Sequence, residues 1–170
     1  MIFQSAMSKD LQEAVFRTVI SGITATDTAA SLQEGEPVIL TTATAVGPIG
    51  QVVIRALTAT DVGNNRLLVG AVKGTIAHEG VGLAQVYGVA PVRLSEVATV
   101  AAFERLVPDL NSTATALAAY GRGAWIARTI TDTNIHFASG AAVVAVAPAT
   151  AVSGTATTPY TNGYAFIRAL

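Results

Sequence analysis

His78-Glu79-Gly80-Val81-Gly82-Leu83-Ala84-Gln85-Val86-Tyr87-Gly88-Val89-Ala90-Pro91-Val92-Arg93-Leu94 decides the fold class of this chain. His78-Glu79-Gly80 is turn sequence, because glycine enters conformations that other residues resist. Behind it, alternating strand residues follow a leading glycine. Gly82 to Gly88 and Val89 to Leu94 therefore read as two strands. The same grammar runs upstream. Glu34-Gly35-Glu36-Pro37 is a turn and Val38 to Thr42 a strand. Val46 to Gly50 turns again and Gln51 to Leu57 is the next strand. Asp61 to Asn65 turns, and Arg66 to Val72 follows. Short β-rich runs with turn signals every 8–12 or so residues predict a barrel or sandwich.

Toward the N-terminus the period is mixed. Leu11, Ala14, Val15 and Thr18 share a helical face. Val15, Arg17 and Val19 also alternate against Phe16, Thr18 and Ile20, and β-branching favours a strand from Val15 onward. Met1 to Ser8 reads as a terminal arm, and Thr24 to Ala30 as a loop.

Downstream of Leu94 the β rhythm breaks. Ser95 can cap a helix, and Val97, Val100, Ala101 and Glu104 keep helical spacing up to Pro108. Ser112 to Tyr120 predicts a second short helix, with Gly121 just past its end. Ala124 to Ile130, Ala142 to Ala147 and Tyr164 to Leu170 return to strand. The expected architecture is mainly β: small β-barrel or sandwich lobes with an N-terminal arm and a short helical insert. Its parts are an arm over 1–12, a barrel-like lobe over 13–94 and a partly helical insert over 95–123. Strands over 124–170 pack on the same lobe or on a second small one.

The composition is unusual for a chain of 170 residues. Hydrophobic residues make up 51% and charged residues only 12%, against about 25% charged in a typical globular protein. Such a surface needs a cover. A membrane is a poor one. The uncharged stretches Pro37 to Ile54 and Phe137 to Ile167 are Ala- and Val-rich and broken by Gly, Pro and Thr, whereas a spanning helix needs about 20 mostly apolar residues. No signal peptide is expected at the start. Nucleic acid is a poor partner too. The net charge is −1, and ten scattered Lys and Arg residues form no basic stripe. Burial against other protein subunits is the better explanation.

Chemistry-bearing constellations are absent. Cysteine does not occur, which removes disulfides, thiol catalysis and cysteine-held zinc. His78 and His136 are too isolated to supply three or four convergent ligands. Asp61, Asn64 and Asn65 lack the alternating oxygens and closing Glu of a calcium loop. No Gly-x-Ser-x-Gly elbow is present; Ser21, Ser139 and Ser153 each stand beside a glycine, which signals turns. Asp10 with Glu13 and Glu34 with Glu36 are local pairs, and no two carboxylates stand out as acid and base of a glycosidase. Gly121-Arg122-Gly123-Ala124-Trp125 lacks a phosphate-loop lysine and reads as a turn into a strand anchored by the only tryptophan. Asn111-Ser112-Thr113 matches a glycosylation acceptor, with no secretion signal to support its use. The expectation is a protein without catalytic, cofactor or metal residues that acts by contact.

One ordered set of short motifs carries a resemblance. It runs Leu11-Gln12-Glu13-Ala14-Val15-Phe16, then Leu32-x-x-Gly35-Glu36-Pro37-Val38, then Leu68-Val69-Gly70-Ala71-Val72. It continues with Ile76 and Glu79-Gly80-x-Gly82-x-x-Gln85-Val86-Tyr87-Gly88, and ends weakly with Gly163 to Leu170. This order resembles the small capsid decoration, or cement, proteins of tailed bacteriophages over Leu11 to Leu94. Ser95 to Tyr120 departs from the pattern. The resemblance implies a virion protein on the outer capsid surface that bridges major capsid protein subunits, as a homotrimer whose N-terminal arm reaches across the shell. Phe3, Leu11, Val15 and Phe16 would be apolar capsid contacts, with Arg17 as a charge contact. Gln85 and Tyr87 would face a subunit interface. Other readings are a head fibre base, a tail-tube subunit, or a carbohydrate-binding β protein.

Overall fold

A computed structural model describes residues 14–23, 31–41, 51–55, 68–95, 100–109, 123–127, 142–146 and 160–169. Among the described residues there are eleven strands: β1 (Val15–Ser21), β2 (Ser31–Leu32), β3 (Pro37–Leu40), β4 (Gln51–Arg55), β5 (Leu68–Lys73), β6 (Ile76–Ala77), β7 (Val81–Ser95), β8 (Leu106–Pro108), β9 (Trp125–Ala127), β10 (Ala142–Ala145) and β11 (Tyr160–Arg168). β1 lies parallel to β4. Antiparallel ladders then join β4 to β3, β3 to β5 and β5 to β7. β7 returns to pair with β1, Ile20 opposite Val81 and Thr18 opposite Leu83. The five strands thus close on themselves as a small β-barrel, which leaves no open edge within the ring. The mainly β expectation and the barrel hold.

β7 is the longest element and belongs to two assemblies. Its first half is a barrel stave between β5 and β1. Its second half leaves the ring and pairs with β11 from Arg168↔Tyr87 to Tyr160↔Ser95. β10 adds outside β11, and β9 touches β7 at Leu94↔Trp125 while pairing with β8. The two strands expected over Gly82 to Leu94 are therefore one 15-residue strand. Partners change at Tyr87, where the β1 register shifts and Gly88 takes a φ of 95°, yet the strand continues.

Alternation explains the core. Ala84, Val86, Ala90, Val92 and Leu94 of β7 are buried, as are Ala165, Ile167 and Ala169 at the chain's end. They join Val38, Ile39, Val53, Val72, Leu106 and Val143 around the fully buried Trp125. This continuous apolar layer supplies the main favourable term in folding.

The expected helix over Ser95 to Val107 is not seen where the chain is described; residues 96–99 lie outside the described residues. Among the described residues there is no helix. Ser95 ends β7 opposite Tyr160, residues 102 and 103 make a turn, and Leu106–Pro108 is a strand against β9. Leu106 and Val107 are buried in succession, which a strand covered on both faces achieves and a one-sided helix does not. Glu104 accepts a bond from the Ala101 N–H at 2.7 Å, so it closes a turn. The second expected helix, Ser112 to Tyr120, lies outside the described residues, as do the loop expected over Thr24 to Ala30 and the arm.

Candidate functional site

The polar centre of the molecule is built on the Glu34-Gly35-Glu36 turn. Gly35 takes a positive φ of 83°, and a side chain there would press on the backbone of Val92 and Arg93 at 3.0 Å. Glycine at that position lets the turn lie directly on β7. Gly35 then accepts bonds from the Arg93 N–H at 3.2 Å and the Trp125 indole N–H at 2.9 Å. Glu36 is fully buried. Its carboxylate accepts from Arg55 Nε at 3.0 Å and from the Gln33 N–H at 3.0 Å, and Arg93 stands 3.9 Å away. Arg55 also donates to the Ser31 carbonyl. A buried carboxylate so thoroughly partnered is structural cement.

The surface-exposed candidates lie elsewhere. β1 places Val15 opposite Tyr87, Phe16 opposite Gln85 and Arg17 opposite Ala84. Residues assigned by resemblance to a capsid-binding arm and to a subunit interface are thus neighbours on paired strands. Val15 and Phe16 are 41% and 39% exposed. Val81 at 57% and Leu83 at 43% add to them from β7. Together they form an apolar face at the barrel end of β7, with Lys73 opposite Leu83 beside it; Arg17, opposite Ala84, belongs to the other face and reaches Gln51 at 3.4 Å. Val81 and Leu83 were not singled out from sequence. Their signal was the alternation itself, which leaves them on the opposite face from buried Ala84 and Val86.

Tyr87 is half-buried and meets Phe166 edge-on, with ring centres 5.3 Å apart. Gln85 is only 3% exposed. Its amide donates to the carbonyls of Tyr87 at 3.1 Å and Val89 at 3.0 Å. Those carbonyls follow the last β5–β7 pair, Ala71↔Gln85, so the side chain stands in for a departing strand. Phe3 and Leu11 lie outside the described residues.

A second surface feature sits at the other end of β7. Glu34, Pro91, Val92, Arg93, Asn162, Gly163 and Tyr164 line a groove of about 330 Å³. Tyr164 is 61% exposed. Glu34 bonds Lys73 at 2.8 Å, and this bond holds its carboxyl below the usual range, against a smaller opposing effect of burial.

Among the described residues no group of three His, Asp or Glu side chains could hold a metal ion, and no helix is long and apolar enough to cross a membrane. Comparison with protein-family models and with curated proteins finds no match for this chain.

Proposed function

We infer that this chain is a structural virion protein of a tailed phage, bound to the outer surface of the capsid as a homotrimer and stabilising the shell by bridging major capsid protein subunits. The observation that carries the reading is the barrel-end face of Val15, Phe16, Val81 and Leu83, exposed in a chain with so little charge. Contiguous apolar surface of this kind marks a contact site. The motif order from Leu11 to Leu94 supplies the kind of contact. Residues 1–13 lead directly into β1, whose first residues belong to that face. An arm that continues in sequence from this face would engage neighbouring shell subunits together with it. Repetition over a lattice multiplies a weak single contact into avid binding.

The test uses capsids of the parent phage prepared without this protein. Purified chain is added and bound protein is measured after sedimentation. The expected result is saturable binding with a copy number fixed by shell symmetry, and shells that withstand higher temperature. A chain lacking Met1 to Ser8 should keep its β fold and bind more weakly. Unchanged occupancy by that variant would remove the arm from the reading. Failure of the intact chain to bind, with rings or stacks by light scattering, would replace it with a tube subunit.

A further inference from the structure

The groove at the far end of β7 has a composition that selects its ligand. Register places Tyr164 opposite Pro91, Gly163 opposite Val92 and Asn162 opposite Arg93. One wall is therefore an exposed aromatic ring beside a proline. The other brings an amide, a guanidinium and the carboxylate of Glu34 to the same opening. Of the residues that line the groove only Arg93 and Glu34 are charged, with opposite signs; Lys73 bonds Glu34 at 2.8 Å and Arg93 Nε bonds the Glu34 carbonyl at 2.8 Å. A neutral opening gives no net attraction to a phosphate or a polyamine. The volume, about 330 Å³, is at the small end of ligand sites, which run from roughly 300 to 1,000 Å³.

We propose that this groove binds a single neutral sugar ring of a glycan. A pyranose has a flat C–H face, which suits the Tyr164 ring, and a rim of hydroxyls that both donate and accept. Asn162 supplies a donor and an acceptor, and Glu34 supplies an acceptor kept ionised. The groove is separate from the proposed contact face. The nearest residue of that face, Val15, stands opposite Tyr87, four positions before Pro91 of the groove, about 13 Å at strand rise. A chain anchored through its barrel end could therefore keep the groove open to solvent.

The experiment screens the full chain on an array of neutral hexose and N-acetylhexosamine oligosaccharides, with sialylated and sulfated glycans as charged comparators. The expected result is binding confined to neutral glycans. Free monosaccharide titrated into labelled protein should then shift the Asn162 side-chain amide and the Gly163 amide. Tyr164→Ala should weaken binding at least tenfold with an unchanged melting temperature, and Tyr164→Phe, which keeps the ring, should retain it. The proposal is overturned if no neutral glycan binds, if charged glycans are preferred, or if Tyr164→Ala binds as well as the parent. Should Tyr164→Ala not fold, Asn162→Ala serves the same purpose at an exposed position, with the same tenfold loss expected and unchanged binding counting against the site.

Discussion

Two buried polar residues do the most at the scale of single side chains. Glu36 is fully buried against Arg55 and Arg93. Glu36→Gln keeps the shape and removes the charge, leaving two guanidinium groups facing a neutral amide. Breaking a buried pair from one side costs about 3–5 kcal/mol, so urea unfolding should show a loss of that order. Adding Arg55→Met should recover part of it, because the orphaned charge goes too. Gln85→Met, nearly isosteric, strips the Tyr87 and Val89 carbonyls of their donor. Both bonds are only part-buried, so each is worth about 0.5–1.5 kcal/mol, and the midpoint should fall accordingly. Neither role was legible in the sequence. Glu36 reads there as half of a turn pair and Gln85 as an interface residue, because a buried polar side chain announces itself only through partners distant in the chain. Arg55 lies 19 positions from Glu36. The exposed ion pair is a contrast. Lys73 lowers the Glu34 pKa, so the pair stabilises the fold above the ordinary carboxylate range, and that contribution is lost as pH falls through the depressed value. Lys73→Ala should return the Glu34 titration, followed by NMR, toward its ordinary range. It should cost less than about 1 kcal/mol, since both side chains are nearly half exposed.

At the scale of elements, β7 shows what local sequence can and cannot specify. Its alternation was readable, and so was its start after His78-Glu79-Gly80. Its continuity was not. Pro91 and Gly88 look like interruptions, yet Pro91 sits where it does no harm. The Arg93 N–H donates to the Gly35 carbonyl, so in this half of β7 the odd-numbered residues point their polar groups away from β11. Pro91 is odd-numbered, and its missing N–H falls on the side away from that ladder. Position 92 is the converse. Val92→Pro would remove a ladder bond to Gly163 and should unfold the β7–β11 pair, seen as loss of amide protection along Tyr160–Arg168. Pro91→Ala should leave that protection unchanged. The lack of a helix over the described residues 100–107 has the same origin. Helical spacing of Val97, Val100 and Ala101 is a local signal, and the pairing of Leu106–Pro108 with Trp125–Ala127 is a distant one that overrides it. Gly70 marks a third such place. Its φ is 152°, and a Cβ there would lie 2.1 Å from the Gln85 carbonyl oxygen, a close approach invisible until β5 and β7 are known to be neighbours.

For the whole molecule, the low charge was the most informative property of the sequence, and the structure locates part of the surface it concerns. Val15, Phe16, Val81 and Leu83 come from two strands whose adjacency depends on a barrel closing between residues some 65 positions apart. No window of sequence contains that face. Its chemistry sets an expectation about assembly. Burial of apolar surface is insensitive to ionic screening, whereas exposed ion pairs separate once the screening length falls to roughly 3 Å near 1 M salt. If the barrel end is the contact, self-association and shell binding should persist in about 1 M sodium chloride, read by light scattering and by sedimentation with capsids. Leu83→Glu tests the same point from the other direction. Leu83 is exposed, and substitutions away from packed features shift stability by only about 0.5 kcal/mol, so the barrel should fold with an unchanged melting temperature. The buried glutamate would meet desolvation at the interface that its neighbour Lys73, already committed to Glu34, is poorly placed to offset. Binding should fall sharply in this variant while the groove around Tyr164, at the other end of β7, is untouched. A Leu83→Glu protein that binds capsids as the parent does would place the contact on another face, and binding that vanishes at high salt would assign it to charge.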